Sequence, residues 1–365
     1  MAPTSIGVAV IGAGMAGRAH AAGYRSATTV YDAGLPDVRL VAIADAPDID
    51  VVSVVVANPL HREIVEGLLA AGKHVLCEKP MAPSVEDGEA MTAAASTSGR
   101  QTGIGFVFRR SPAINAIREQ VEQGSIGTPL HFNGHYWCDY GVDPAGPMSW
   151  RYKGRPGSGA LADIGSHLID LAEFVCGPIQ SVRGAVLSTF VTERALPAGA
   201  AVGHAAAELS DVTGPVENED LVTFTATFES GATGTLSASR AAFGLANSLG
   251  FELFTSSGAA TFDLARAGEF GFIDGAPAGP TQGFRQVLVG PGHPYLTGGI
   301  PMDFPGVGYG QNDLFTFQAR AFLEQVAGLE GLPRLASFSE GLHNIRLLDA
   351  VVASAKAGGA DVTID

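Results

Sequence analysis

Residues 7–20 read GVAVIGAGMAGRAH. The first five form an apolar run that closes on glycine, the pattern of a strand buried on both faces of a parallel sheet. Glycines follow at 12, 14 and 17 in the spacing G-x-G-x-x-G, and the residues after them begin a helical pattern. Between a strand and a helix, each glycine has a physical purpose: a tight turn, close approach of the backbone to a pyrophosphate, and packing of helix on strand. The amides and dipole of the helix N-terminus then favour the phosphates. Gly12, Gly14, Met15, Ala16 and Gly17 are therefore the expected dinucleotide turn.

Working outward, LVAIA (40–44), VVSVVVA (51–57) and HVLC (74–77) repeat the buried-strand signature, and HREIVEGLLAAG (61–72) is an amphipathic helix stopped by Gly72. Strands alternating with helices predict a doubly wound α/β sheet. Asp45 ends LVAIAD, where a carboxylate would accept from the adenosine ribose hydroxyls and repel a 2′-phosphate, so NAD is expected over NADP. Only Ala46 to Asp50 separate that strand from VVSVVVA, whereas a parallel crossover needs about a dozen residues or more. The chain is expected either to be interrupted between about residues 41 and 48 or to carry a true deletion with altered topology.

After about residue 125 the pattern changes. DLVTFTATFES alternates Val222, Phe224, Ala226 and Phe228 with threonines, a strand apolar on one face, and ATGTLSAS, GFELFTSS and AATFDL follow. The expected division is a Rossmann domain over 1–125 and an α+β domain over 126–365 with a large, mostly antiparallel open sheet. Within the second domain, a long loop is expected over 275–310 and a C-terminal helix over 339–357, capped by Ser339.

The 365 residues carry a net charge of −15, which disfavours nucleic acid. Cys77, Cys138 and Cys176 are odd in number and unpaired by any C-x-x-C spacing, which suits a reducing compartment. No apolar run reaches the ~20 residues that span a bilayer. A soluble cytoplasmic protein without a metal site is the expectation.

Two further stretches carry chemistry. GSGALADIGSHLID (157–170) spaces Asp163, His167 and Asp170 on one side of a helix whose other residues, Leu161, Ile164, Leu168 and Leu171, face a core. A solvated face and a functional site both fit that pattern. AAGKHVLCEKPMA (70–82) places Glu78-Lys79-Pro80 at the C-terminal end of a parallel strand, where doubly wound sheets bind ligands. Pro80 biases Lys79 toward extended backbone, a rigid mount for an ammonium group.

As a set, IGAGMAGRAH, NPLH (58–61), AGKHVLCEKP, GSGALADIGSHLIDL and SFSEGLHNIRLLDAV resemble the Gfo/Idh/MocA family of oxidoreductases, the glucose-fructose oxidoreductase and inositol dehydrogenase relatives. PMSWRYKGRPGSGALADIGSHLIDLAEFVCG and VLSTFVTERALP look like its pyranoside dehydrogenases. The resemblance implies oxidation of a secondary hydroxyl of a sugar, anhydrosugar or cyclitol by hydride transfer to NAD. By the same resemblance Lys79 stabilises the alkoxide, His167 is the general base and Asp163 orients the substrate. Asn58, His61, Glu78 and Lys79 are the implied cofactor-side residues, with Trp150, Arg151 and Arg109 beside the substrate. Val56-Ala57 stands where the family has Thr-Pro, and Ser158 replaces the middle glycine of a triplet. The resemblance also implies a homodimer or homotetramer, and leaves an NAD-dependent glycoside hydrolase or a non-catalytic regulator as alternatives.

Overall fold

The computed structural model describes residues 5–12, 14–29, 35, 37–40, 48–198, 209–275, 283–302, 304 and 306–364. β1 (Ser5–Ile11) runs through the glycine turn into α1 (Met15–Thr29). β2 (Asp37–Leu40) and β3 (Val51–Val54) flank β1, both parallel to it, so that Val8 faces Leu40 on one side and Val51 on the other. α2 (His61–Ala70), β4 (His74–Cys77), α3 (Val85–Ser98) and β5 (Thr102–Ile104) complete a parallel sheet of order β2-β1-β3-β4-β5. Ile6, Val8, Val51, Val52, Val54 and Val75 have 0% exposure, which is why these strands read as unbroken apolar runs.

Against the doubly wound order 3-2-1-4-5-6, the described sheet lacks the outermost strand on the β2 side. The chain re-enters beside the start of β1: Gly7 N donates to Asp50 Oδ2 at 2.8 Å, and Asp50 N donates to the Gly7 carbonyl at 2.8 Å. A Cβ at Gly7 would collide with the Asp48 carbonyl, so the close approach requires glycine. Residues 41–47, and with them Asp45 and most of the expected interruption or deletion, lie outside the described residues.

α4 (Pro112–Glu122) precedes the second sheet. Its strands are β6 (Pro129–Trp137), then, after α5 (Ser166–Cys176), β7 (Ile179–Ser188), with a separate hairpin of β8 (Glu193–Pro197) and β9 (Leu209–Pro215). β10 (Leu221–Phe228), β11 (Thr233–Ser239), β12 (Ser248–Thr255), β13 (Gly258–Asp263), β14 (Glu269–Asp274) and β15 (Arg285–Leu288) follow. α6 (Gln311–Ala327), α7 (Phe338–Lys356) and β16 (Val362–Thr363) close the chain. The sheet order is β15-β14-β13-β12-β6-β11-β10-β7-β16, with β6 and β11 parallel in a mostly antiparallel sheet. In β10 the alternation holds: Val222, Phe224, Ala226 and Phe228 are buried, and the intervening threonines are half-exposed. The expected loop over 275–310 contains β15, and buried Tyr295 anchors its later part, stacked on Phe317.

Two compact units result: 1–115 with 288–345, and 116–287 with 346–365. This corrects the cut at 125/126. Residues 288–345 belong with the first sheet because α6 packs on α1, where a Cβ at Gly23 would stand 2.6 Å from the Phe315 carbonyl. Ile104 N also donates to the Ala336 carbonyl at 2.9 Å. The cap of α7 is Ser337, not Ser339: Ser337 Oγ accepts from Glu340 N, and Glu340 returns its carboxylate to Ser337 N, the reciprocal pattern of S-x-x-E. In the second unit Arg240 (1% exposed) donates to Asp220 (0%) at 2.8 Å, and Asp220 also accepts from Phe190 N and Val191 N.

Asp220→Asn leaves the Arg240 guanidinium buried without its counter-charge, so stability should fall by about 3–5 kcal/mol. Thermal unfolding would show this as a drop of roughly 10 °C in Tm; an unchanged Tm would contradict the assignment. At Glu340, burial pushes the carboxyl up, but Arg109 and the Ser337 bonds outweigh it and hold it below its ordinary value. A lowered folded value gives stability that is complete above the unfolded value of about 4.3 and is lost as pH falls through the folded one. The stability difference between wild type and Glu340→Gln should therefore be present at pH 7 and vanish on acidification, as denaturant titrations at both ends would show.

Candidate active site

In the first unit the glycine turn behaves as its spacing requires. Gly12 adopts φ +121°, and a Cβ there would strike the Val55 carbonyl; one at Gly17 would strike the Gly12 carbonyl. A Cβ at Gly14 meets nothing within 4 Å, so the turn is open on that side. Met15 and Ala16 begin α1 beside it, Met15 being 67% exposed. An open glycine turn at a helix N-terminus fits a pyrophosphate. Asn58 starts a short 3₁₀ turn after β3.

Glu78-Lys79-Pro80 follows β4, with the Lys79–Pro80 bond cis. The Glu78 carboxylate goes to the protein rather than outward. Oε1 bonds His20 Nε2 at 2.8 Å, and Oε2 accepts from Lys79 N at 3.1 Å. His20 Nδ1 reaches Ser53 Oγ at 3.2 Å, which reaches Tyr24 OH at 2.9 Å. Burial alone would raise Glu78, but the hydrogen bond and charge of His20 and the charge of Lys79 leave it below its ordinary value.

Two expected ligand-side residues have partners within the protein. His61 is wholly buried, with Nε2 and Nδ1 each 3.1 Å from a carbonyl, those of Val56 and Met81. Burial lowers its pKa, and a neutral ring donates at one nitrogen only. The other nitrogen, Nδ1, stands 3.4 Å from the Cys77 thiol. His61 thus ties the segment after β3 to the segment after β4 from within the protein. Arg109, 9% exposed, directs its guanidinium at Glu340 Oε1 at 2.5 Å.

In the second unit, Leu161–Gly165 forms a single π-helical turn leading into α5, a feature that often accompanies functional sites. The Glu219 carboxylate caps this segment, accepting from Gly157 N at 2.7 Å, Gly159 N at 3.1 Å and Leu161 N at 3.0 Å. The glycines answer local needs: Gly157 has φ +91°, and a Cβ at Gly159 would strike the Glu219 carbonyl. Ser158, in place of the middle glycine, accepts from Asn218 Nδ2 at 3.1 Å.

Asp163 sits on the π turn. Its Oδ2 accepts from Tyr140 OH at 2.6 Å and from Arg151 Nη1 at 3.3 Å. Burial and then Asp163 push the Tyr140 phenol far above its usual range, so it remains a donor. The Arg151 guanidinium lies 4.6 Å from the ring of Trp150, itself 52% exposed. The Arg151 carbonyl accepts from Asn218 Nδ2 at 3.0 Å and Arg240 Nη1 at 2.9 Å, which connects the loop to the Arg240–Asp220 pair. His167 and Asp170 on α5 are 7% and 2% exposed, so this face of the helix is not a solvated one.

Sequence reasoning missed Tyr140, Arg240 and the run Asn218-Glu219-Asp220, as well as the His20–Ser53–Tyr24 chain. The run at 218–220 was the available signal: three polar residues directly before an apolar strand. Among the described residues no group of three or more His, Cys, Asp or Glu side chains is placed to hold a metal ion, and no helix is long and apolar enough to cross a membrane.

Residues 29–106 match an oxidoreductase family with an NAD-binding Rossmann fold, and residues 114–261 match the GFO/IDH/MocA C-terminal domain. The chain is 37% identical over 316 residues to levoglucosan dehydrogenase of Pseudarthrobacter phenanthrenivorans, covering 86% of this chain and 80% of the relative. It is 38% identical over 134 residues to 1,5-anhydro-D-fructose reductase of Ensifer adhaerens, 35% of this chain and 38% of that protein. Among solved structures, levoglucosan dehydrogenase in complex with NADH and L-sorbose superposes with a TM-score of 0.87 at 30% identity, over 99% of both chains. An oxidoreductase domain protein from Kribbella flavida gives 0.88 at 34% identity over 100% of both. With both domain matches and a relative 37% identical over 86% of the chain, the chain belongs to the GFO/IDH/MocA family of NAD-binding oxidoreductases.

Proposed function

We propose that the enzyme oxidises a secondary hydroxyl of a sugar, anhydrosugar or cyclitol, with Lys79, Asp163 and His167 as its catalytic groups. Relatives named for levoglucosan and 1,5-anhydro-D-fructose support the substrate class. The observation that carries the chemistry is the mounting of Asp163 and His167. Both stand on one capped, largely buried helical segment, and the Asp163 carboxylate is aimed by two donors.

NAD held at Gly12, Gly14, Met15, Ala16 and Gly17 supplies the hydride acceptor. His167 takes the hydroxyl proton as general base, a role for which an imidazole nitrogen is chemically suited. The Lys79 ammonium donates to the same oxygen and stabilises its developing negative charge. Asp163 accepts from the substrate and orients it. Trp150 offers an apolar ring face to the pyranose, with Arg151 beside it. Asn58 contacts the nicotinamide end, and Asp45, on sequence grounds alone, accepts from the ribose hydroxyls.

A panel of sugars, anhydrosugars and polyols assayed by NADH absorbance should give turnover with NAD and a lower kcat/KM with NADP. No turnover with any member, or a preference for NADP, would refute the reading. Lys79→Ala and His167→Ala should each lower kcat by about 10²-fold or more, because each removes an interaction made in the transition state. NADH affinity, followed by fluorescence, should stay nearly unchanged; wild-type turnover in either variant would remove that residue from the mechanism.

A further inference from the structure

The chain Tyr24–Ser53–His20–Glu78 ends at a backbone atom, the amide of Lys79. Its members come from α1, β3 and the segment after β4, three neighbouring elements of the parallel sheet. His20 is 2% exposed and the Glu78 side chain 12%, so the carboxylate is largely out of water and each oxygen has one defined partner. Room for it is reserved: a Cβ at Gly105 would stand 2.5 Å from Glu78 Oε1. A surface lysine needs no such support. A desolvated carboxylate is costly, and one that bonds its own neighbour's amide fixes the peptide on which that neighbour's side chain is mounted.

We propose that His20 and Glu78 are a positioning pair that sets the backbone of Lys79 from α1, the helix that opens at the dinucleotide turn. This rests on the reading of Lys79 as catalytic. The pair works through hydrogen-bond geometry, and the hydroxyls of Ser53 and Tyr24 let the chain reverse direction. In Glu78→Gln the amide oxygen still accepts from Lys79 N. The new NH₂ donates to His20 Nε2 once the ring proton moves to Nδ1, where Ser53 Oγ accepts it.

The test is a double-mutant cycle with NADH titration. His20→Ala and Glu78→Ala should each lower kcat by about 10²-fold, the cost of a misplaced catalytic group. Substrate KM and the NADH dissociation constant should stay within about threefold of wild type, the affinity being read by fluorescence without turnover. Glu78→Gln should recover most of the loss. Combined with Lys79→Ala, His20→Ala should slow the enzyme no further, since groups acting through one another are not additive. Additive losses, Glu78→Gln as slow as Glu78→Ala, or a tenfold weaker NADH with kcat intact would each overturn the proposal. Should His20→Ala fail to fold, His20→Phe, which fills the space of the ring but offers no N–H to Glu78, takes its place in the cycle. A fast Lys79→Ala would defeat the catalytic reading of Lys79 itself. A slow Lys79→Ala beside a fast His20→Ala would defeat only the positioning pair.

Discussion

A carboxylate removed from water has to be answered by several donors, because its lost hydration costs several kcal/mol. Among the described residues Glu78, Glu219 and Asp220 are such carboxylates, and their answering donors fix backbone next to the proposed site residues. Glu78 takes His20 and the amide of Lys79. Glu219 takes three amides of the glycine loop before Asp163, and Asp220 takes Arg240, whose guanidinium also holds the Arg151 carbonyl. Apolar packing fixes where helices and sheets lie. It is not directional enough to set one peptide plane, and the buried acids do that.

The two units use the device differently. In the first, the acid follows a parallel strand and is paired with a histidine on the neighbouring helix. In the second, it caps a helix N-terminus, where the unsatisfied amides of a first turn need acceptors. Burial raises the Glu219 carboxyl even against those amides, whereas Glu78 with its histidine falls below the ordinary value. The contrast follows from charge: backbone amides offer dipoles, while His20 and Lys79 bring ionisable partners.

Much of the architecture was legible because strand burial writes itself into apolar runs. GVAVI, VVSV and HVLC read as parallel strands, and LVTFTATF as a strand with one wet face, since each pattern is a direct record of which faces lose water. The glycine turn was legible because Gly12 needs positive φ and Gly17 needs close approach. What stayed hidden depends on partners far away in sequence. Glu78 and His20 are 58 residues apart, and neither residue type names the other. Asn218-Glu219-Asp220 reads as a polar loop until the loop at 157–161 is placed on it. The apolar residues of α6 announce burial without saying that α1 is the neighbour, so the domain division was misplaced. Arg109 and His61 were plausible ligands by type, but the sequence does not show their protein partners, Glu340 and two backbone carbonyls.

The central claim is that these mounts serve direct transfer of hydride from a secondary carbinol carbon. Following the label from a substrate deuterated at that carbon tests it most directly. The account predicts that, in a single turnover, the deuterium appears on C4 of NADH in equal amount to the ketone formed, with none in solvent. Deuterium lost to water, or sugar cleaved with no net NADH, would contradict it.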